Sequence, residues 1–304
     1  MRELLLSIVD AFTDRPFNGN PAAVVTDAGG LSDAVMQQIA REMNLSETVF
    51  VLPSDRADLR LRFFTPTREL PLAGHPTVAA WHALVEQGRI ALSGRRTRRT
   101  QELQLGVLPV ELEAGPDGRL ARVWMTQPAP QFLRTYPPDR FAAALGVPIS
   151  GLEPDYPLQT VSAGAPQLMF PVRSLHVLER LEPDLGALAA LSAEGDFLGV
   201  HVFAPEGYEA AAAAHARHFA PAAGIAEDPV TGSANGALGA YLVHYGLALR
   251  HEFSIEQGHI IGRPGTVHVE VERDGDEGPI AGVRIGGSAV TVYRGRLTSL
   301  PALP

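Results

Sequence analysis

Apolar positions along this chain fall mostly in short runs of strand length. Leu59-Arg60-Leu61-Arg62-Phe63-Phe64 and Val267–Val271 alternate apolar and polar, while Val49-Phe50-Val51-Leu52 is apolar throughout. These are the patterns of half-buried and fully buried strands. The N-terminal run Met1–Asp10 reads as a buried first strand closed by Asp10. One segment has helical period: Val35, Met36, Ile39, Ala40 and Met43 share a stripe, Ser32 stands where an N-cap belongs, and Asn44 is the stop. Two further helices have a different character. Val78, Ala79, Ala80, Trp81, Ala83, Leu84 and Val85 cover nearly the whole circumference of the first. Ala234, Ala237, Leu238, Ala240, Tyr241, Leu242 and Val243 do the same for the second. A helix that is apolar all round must be buried on all sides.

Those two helices belong to an internal duplication. Arg62-Phe63-Phe64-Thr65-Pro66 leads to Leu72-Ala73-Gly74-His75-Pro76 and a helix pattern ending at Gly88. Arg217-His218-Phe219-Ala220-Pro221 leads to Thr231-Gly232-Ser233-Ala234 and a pattern ending at Gly246. In each copy a strand built on a glycine follows, from Gly106 and from Gly262, and the matched points are offset by 155 (62 to 217), 158 (74 to 232) and 156 (106 to 262) residues. A repeat this long specifies two similar domains rather than a solenoid. The expected division is residues 1–128 and 129–304, with a last strand at about 288–297 that returns to the first domain. One apolar helix per strand-rich copy predicts an α+β fold of two pseudo-symmetric domains, each a mixed sheet or barrel wrapped around a central apolar helix.

Composition then narrows the chemistry. The 304 residues contain no Cys, and all 25 basic side chains are arginine, since the sequence has no Lys. Thiolate nucleophiles, disulfides, Cys-ligated metals, Schiff-base lysines and a Walker lysine are excluded. A net charge of −9 disfavours nucleic acid as a partner. The one basic cluster, Arg95, Arg96, Arg98 and Arg99, reads as an exposed loop beside Gly94. No apolar stretch has the length of a membrane span, and the N-terminus lacks a signal-peptide cleavage site, so a cytoplasmic protein is expected.

Carboxylates, histidines, hydroxyls and backbone amides remain for function. Gly74-His75-Pro76 and Thr231-Gly232-Ser233 place donor-rich backbone at the start of a buried helix, where free N–H groups and the dipole favour an anion. In a pseudo-symmetric pair, two such ends facing one interdomain cleft can hold a carboxylate or stabilise an enolate-like anion. Glu47 sits between the capped helix and an apolar strand, either as a solvated loop acid or at the cleft mouth. Asp228 precedes Pro229 as a turn residue or site acid, and His75 is a helix-start donor or a proton-transfer group. His215 and His218 have no third ligand at metal spacing and read as surface or strand residues, so no metal is expected. Ser233 lacks the frame of a nucleophile elbow, because position 231 is Thr.

At Phe17-Asn18-Gly19-Asn20-Pro21, Asn44-Leu45-Ser46-Glu47-Thr48, Leu72–Thr77, Glu227–Ala234, Gln257-Gly258 through Gly262-Arg263-Pro264, and Gly286-Gly287, the chain resembles the PhzF-like (phenazine-biosynthesis) family of the diaminopimelate-epimerase-like superfamily. The resemblance implies two domains with the active site between them, cofactor-independent isomerase chemistry on a small carboxylate, and commonly a homodimer. It also implies Glu47 as proton shuttle, with His75 and Asp228 as further catalytic residues and Asn20, Ser46, Gly74, Gly232 and Ser233 as substrate-binding positions. Superfamily epimerases carry two cysteines at the helix starts; this chain has none, as in the PhzF-like branch. An epimerase or dehydrating lyase acting on a small amino or hydroxy acid, and a non-catalytic small-anion binding protein, are the alternatives.

Overall fold

A computed structural model describes residues 3–275 and 278–299; Met1 and Arg2, part of the expected first strand, lie outside them. The chain divides into two compact units, one of residues 1–126 with 286–304 and one of residues 127–285.

The first unit runs β1 (Leu4–Ala11), β2 (Asn20–Val25), α1 (Asp33–Met43), β3 (Glu47–Leu52), β4 (Leu59–Phe64), β5 (Glu69–Leu70), α2 (Gly74–Glu86), β6 (Arg96–Leu103), β7 (Gly106–Ala114) and β8 (Leu120–Gln127). The second runs β9 (Gln131–Tyr136), α3 (Asp139–Leu145), β10 (Leu158–Ser162), β11 (Pro166–Pro171), α4 (Leu175–Glu179), α5 (Leu185–Glu194), β12 (Gly199–Ala204), β13 (Ala212–Ala220), β14 (Ile225–Asp228), α6 (Gly232–His244), β15 (Glu252–Gln257), β16 (Gly265–Arg273) and β17 (Ile280–Gly287). A last strand, β18 (Ala289–Leu297), pairs antiparallel with β1.

The pairing repeats between the two lists. β1–β2 is antiparallel, β2–β3 parallel across α1, β3–β4 and β4–β5 antiparallel, and β4–β6 parallel across α2. β10–β11 is antiparallel, β11–β12 parallel across α4 and α5, β12–β13 and β13–β14 antiparallel, and β13–β15 parallel across α6. The protein is therefore α+β, each unit a mixed sheet around one apolar helix. In the first unit α2 lies against β1, β2, β3 and β18. The fully buried Trp81 also donates its indole N–H to Gln101 of β6 at 2.8 Å. In the second, α6 lies against β10, β11 and β16, and Tyr241 donates to the Pro157 carbonyl at 2.7 Å.

Helix α1 follows the sequence reading closely. Ser32 accepts from Val35 N at 3.4 Å, and Asn44 ends the helix in the left-handed region at φ 49°. Its apolar stripe covers the outer face of β1, β2 and β3 with Leu4, Leu6, Val25 and Phe50. Those strands are thus buried on both faces, which explains why β3 lacks alternation.

Matched arginines hold matched parts. Arg62 on β4 makes a two-point contact with Glu69 of β5 at 2.7 and 2.7 Å, and Arg217 on β13 does the same to Glu227 of β14 at 2.8 and 2.8 Å. Each guanidinium also lies 5.1 Å from the ring of the phenylalanine two residues on, Phe64 or Phe219. Planar bidentate pairing fixes direction as well as distance. Each ion pair therefore pins the short strand that feeds the next central helix.

Two expectations need correction. The basic cluster is not a loop: Arg96, Arg98 and Arg99 lie on β6, and the cluster pairs with Glu111, Glu113 and Asp58 at 3.1–3.8 Å. The second glycine-led strand begins at Gly265, because Gly262 is in the left-handed region at φ 72° and belongs to the preceding turn.

Candidate active site

In the first unit, four of the expected residues meet at one end of the sheet. Parallel pairing puts Glu47 beside Ala22, two residues past Asn20. Gly74 opens α2, with His75 next along. Glu47 Oε2 lies 3.2 Å from His75 Nε2, and Ser46 Oγ lies 3.4 Å both from His75 Nε2 and from Asn20 Oδ1. Asn20, Glu47 and His75 are buried, Glu47 to 8% exposure. Glu47 is therefore not a solvated loop acid; it starts β3 against an imidazole.

Burial drives the His75 imidazole pKa down to about 3, a hydrogen bond to the Pro21 backbone opposing the fall only partly. Proline offers only a carbonyl there, so a ring N–H is the donor. A neutral imidazole has one N–H and one lone pair. With that N–H given to Pro21, the Nε2 lone pair faces Glu47 Oε2 and can accept from the carboxyl when it is protonated.

The β1–β2 loop adjoins the same end. Phe17 has φ 67° and is 71% exposed, and its N–H is held by the buried Asp10 carboxylate at 2.6 Å. A bulky side chain in the left-handed region costs about 1–2 kcal/mol.

In the second unit, β14 ends at Asp228 and α6 begins at Gly232. Thr231 Oγ1 donates to Asp228 Oδ2 at 2.5 Å. Asp228 and Gly232 are buried, and Ser233 is half-buried. Beneath this turn lies Gln257 of β15, fully buried, a residue that sequence reasoning did not single out. Its Oε1 accepts from Thr231 N at 3.0 Å and from Asn235 Nδ2 at 2.7 Å. Its Nε2 donates to the Asp228 carbonyl at 2.8 Å and to Thr231 Oγ1 at 3.2 Å. The signal for it was the Gln257-Gly258 motif, whose Gln lies on the opposite face of β15 from Glu256, both buried.

One amide thus satisfies four groups of the turn. Gln257→Leu is expected to lower stability by about 2–4 kcal/mol, since unpaired buried polar groups cost about 1–3 kcal/mol each, read by urea denaturation. Unchanged stability would remove Gln257 as the support of this turn. A shallow hollow of about 700 Å³, lined by Leu249, His251, Phe253 and His268 among others, shares no residue with either group.

The structure is thus an α+β fold, a mixed sheet about a central apolar helix built twice, with a buried carboxylate–imidazole contact at the head of one helix. The family described as "Phenazine biosynthesis-like protein" matches residues 9–295, and the chain belongs to that family, the PhzF family of isomerases. It is 40% identical over 306 residues to an uncharacterized isomerase of Clostridium acetobutylicum, covering 98% of this chain and 99% of that one. It is 36% identical to the trans-2,3-dihydro-3-hydroxyanthranilate isomerase of Pseudomonas aeruginosa, covering 95% and 97%. The crystal structure of the Bacillus anthracis PhzF-family protein matches with a TM-score of 0.90 at 34% identity, covering 98% and 100%. A probable proline racemase from Agrobacterium radiobacter, 16% identical with a TM-score of 0.62 over 97% and 93%, shares the fold. Among the described residues no helix is long and apolar enough to cross a membrane.

Proposed function

We propose that this isomerase moves a proton between carbons of a small carboxylate-bearing metabolite without a cofactor, with Glu47 as the acid–base shuttle. The observation that carries the reading is the buried contact of 3.2 Å from Glu47 Oε2 to the Nε2 of an imidazole that burial keeps neutral. A single carboxylate that takes a C–H proton and is shielded from water can return the same proton to a different carbon.

The other residues have supporting roles in this proposal. His75 orients Glu47, and Ser46 and Asn20 extend the hydrogen-bonded chain. The amides opening α2 at Gly74 suit the substrate's anionic group, as helix N-termini do, and those opening α6 at Gly232, with Ser233, are the matching anion-binding positions of the second unit. Asp228, fixed by Thr231 and Gln257, binds or polarises the substrate. The kinship with a trans-2,3-dihydro-3-hydroxyanthranilate isomerase supports an unsaturated, carboxylate-bearing substrate, and the family resemblance supports a cytoplasmic homodimer.

The test is isotope tracing. The protein is incubated in D₂O with trans-2,3-dihydro-3-hydroxyanthranilate and a panel of small unsaturated and α-amino carboxylates. Migration of substrate hydrogen to a new carbon, with less than full solvent deuterium in the product, is the expected result. Deuterium at an inverted centre with no double-bond shift would replace the shuttle by epimerisation.

A further inference from the structure

We propose that His215, Glu256 and His259 form a binding site for a divalent transition-metal cation of the zinc class. The three lie in the second unit, on β13, on β15 and in the turn after β15. One donor atom from each falls within 4.8 Å of the others. None belongs to the Glu47–His75 group or to the Asp228–Thr231 turn.

The separation of 215 from 256 along the chain hides the cluster in the sequence, where His215 and His218 read as surface or strand residues lacking a third ligand. The fold overturns the surface reading, since His215 is 0% and His218 3% exposed. It also supplies what was missing. The parallel β13–β15 register sets His215 directly opposite Glu256, and His259 follows Glu256 by three residues.

The geometry fits a metal in several respects. His215 Nδ1 and Glu256 Oε2 are 3.3 Å apart, close to the ~3.3 Å that separates two ligands on a tetrahedral ion with bonds of about 2.0–2.1 Å. His259, half-buried, is the third donor, within 4.8 Å of the other two. The carboxylate is oriented by backbone donors, Tyr208 N to Oε2 at 2.7 Å and Glu209 N to Oε1 at 3.0 Å. Such outer-shell bonds are typical supports of ligating carboxylates. The Tyr208 ring packs over both imidazoles, 5.0 Å from His215 and 4.8 Å from His259.

Two further facts ask for a cation. Glu256 is 2% exposed, and among the described residues no arginine pairs with it; its ion-pair partner is His215. Buried carboxylates are normally paired or metal-bound. His259 Nδ1 is also buried without a hydrogen-bond partner, so that imidazole has unused donor or acceptor capacity. Two imidazoles and a carboxylate suit zinc-like ions rather than magnesium, which prefers all-oxygen ligation. The ion would tie the Tyr208–Glu209 turn to β13 and β15, a structural clamp separate from the proposed proton transfer.

Tag-free full-length protein, stripped with a chelator, is titrated with Zn²⁺ against a chromogenic competitor, with no substrate present. The expected result is one Zn²⁺ per chain and a rise in Tm on binding. Glu256→Gln and His259→Ala are each expected to weaken binding at least about tenfold and abolish the Tm rise, while His176→Ala, at an exposed histidine elsewhere, changes neither. Because His259 is half-buried, its variant keeps the test valid if Glu256→Gln misfolds. Absence of competition by the wild type, or equal Zn²⁺ affinity in wild type and His259→Ala, would overturn the site and leave a plain imidazole–carboxylate pair.

Discussion

Glu47→Gln is expected to lower kcat about a thousandfold with little change in KM, on whichever carboxylate the isotope experiment identifies as substrate. A positioned proton-transfer group contributes about 10²–10⁴-fold, and glutamine keeps the size and burial of Glu47 while removing its basicity. Loss confined to kcat is the mark of an interaction made in the transition state. Glu47→Asp retains a carboxylate but draws it back from His75 Nε2 by one bond, so a smaller loss is expected. Activity of the glutamine variant within tenfold of the wild type would rule out Glu47 as the shuttle. Far-UV circular dichroism on both variants separates this outcome from unfolding.

The second large effect is acid lability. Burial pushes His75 down to about 3 and His218 down to about 4, and it holds His201 well below its usual value of 6.5, with the neighbouring His218 adding to the effect. In the unfolded chain these imidazoles take up protons near pH 6.5; in the folded protein they do not. Where the unfolded state binds more protons, stability rises with pH. The stability these neutral groups contribute is therefore present above pH 6.5 and is lost as pH falls from there towards 4. Each contributes about 1.4 kcal/mol per pH unit within that window, so the three together approach about 4 kcal/mol per unit. From pH 6.5 to 4 the loss approaches about 10 kcal/mol, enough to unfold a domain in the lower half of the ordinary stability range of about 5–15 kcal/mol. Tm measured from pH 7.5 to 4.5 should fall steeply, and His218→Asn should flatten the slope by about one imidazole's share. A Tm constant from pH 7 to 5 would contradict the neutral assignment.

Much of this molecule was legible in one dimension. The α1 stripe, its Ser32 cap and its Asn44 stop depend on residues within one or two turns, so local pattern suffices. The two central helices were visible because a helix apolar on every side has no surface solution. The duplication carried over even to Arg62 and Arg217, which grip Glu69 and Glu227 in the same manner. Glu47, Ser46 and His75 were nameable from their motifs, but their contact was not, since Glu47 and His75 meet only through the β2–β3 register and the entry of α2.

What lay beyond the sequence was consistently a matter of strand register and burial. Alternation along β15 says that Glu256 and Gln257 face opposite ways, but not that one supports the Asp228 turn and the other meets two histidines. The sequence by itself determined α1, the two central helices, the repeat and the absence of thiol and lysine chemistry, because these follow from local periodicity and composition, while the candidate acid–base groups came from the motifs of the family it resembles. Only the tertiary structure decided which groups touch, that His75 stays neutral, and that His215 acquires a carboxylate partner 41 residues away. Hydrogen bonds and desolvation depend on distances through space, and parallel pairing across a buried helix sets those distances independently of spacing along the chain.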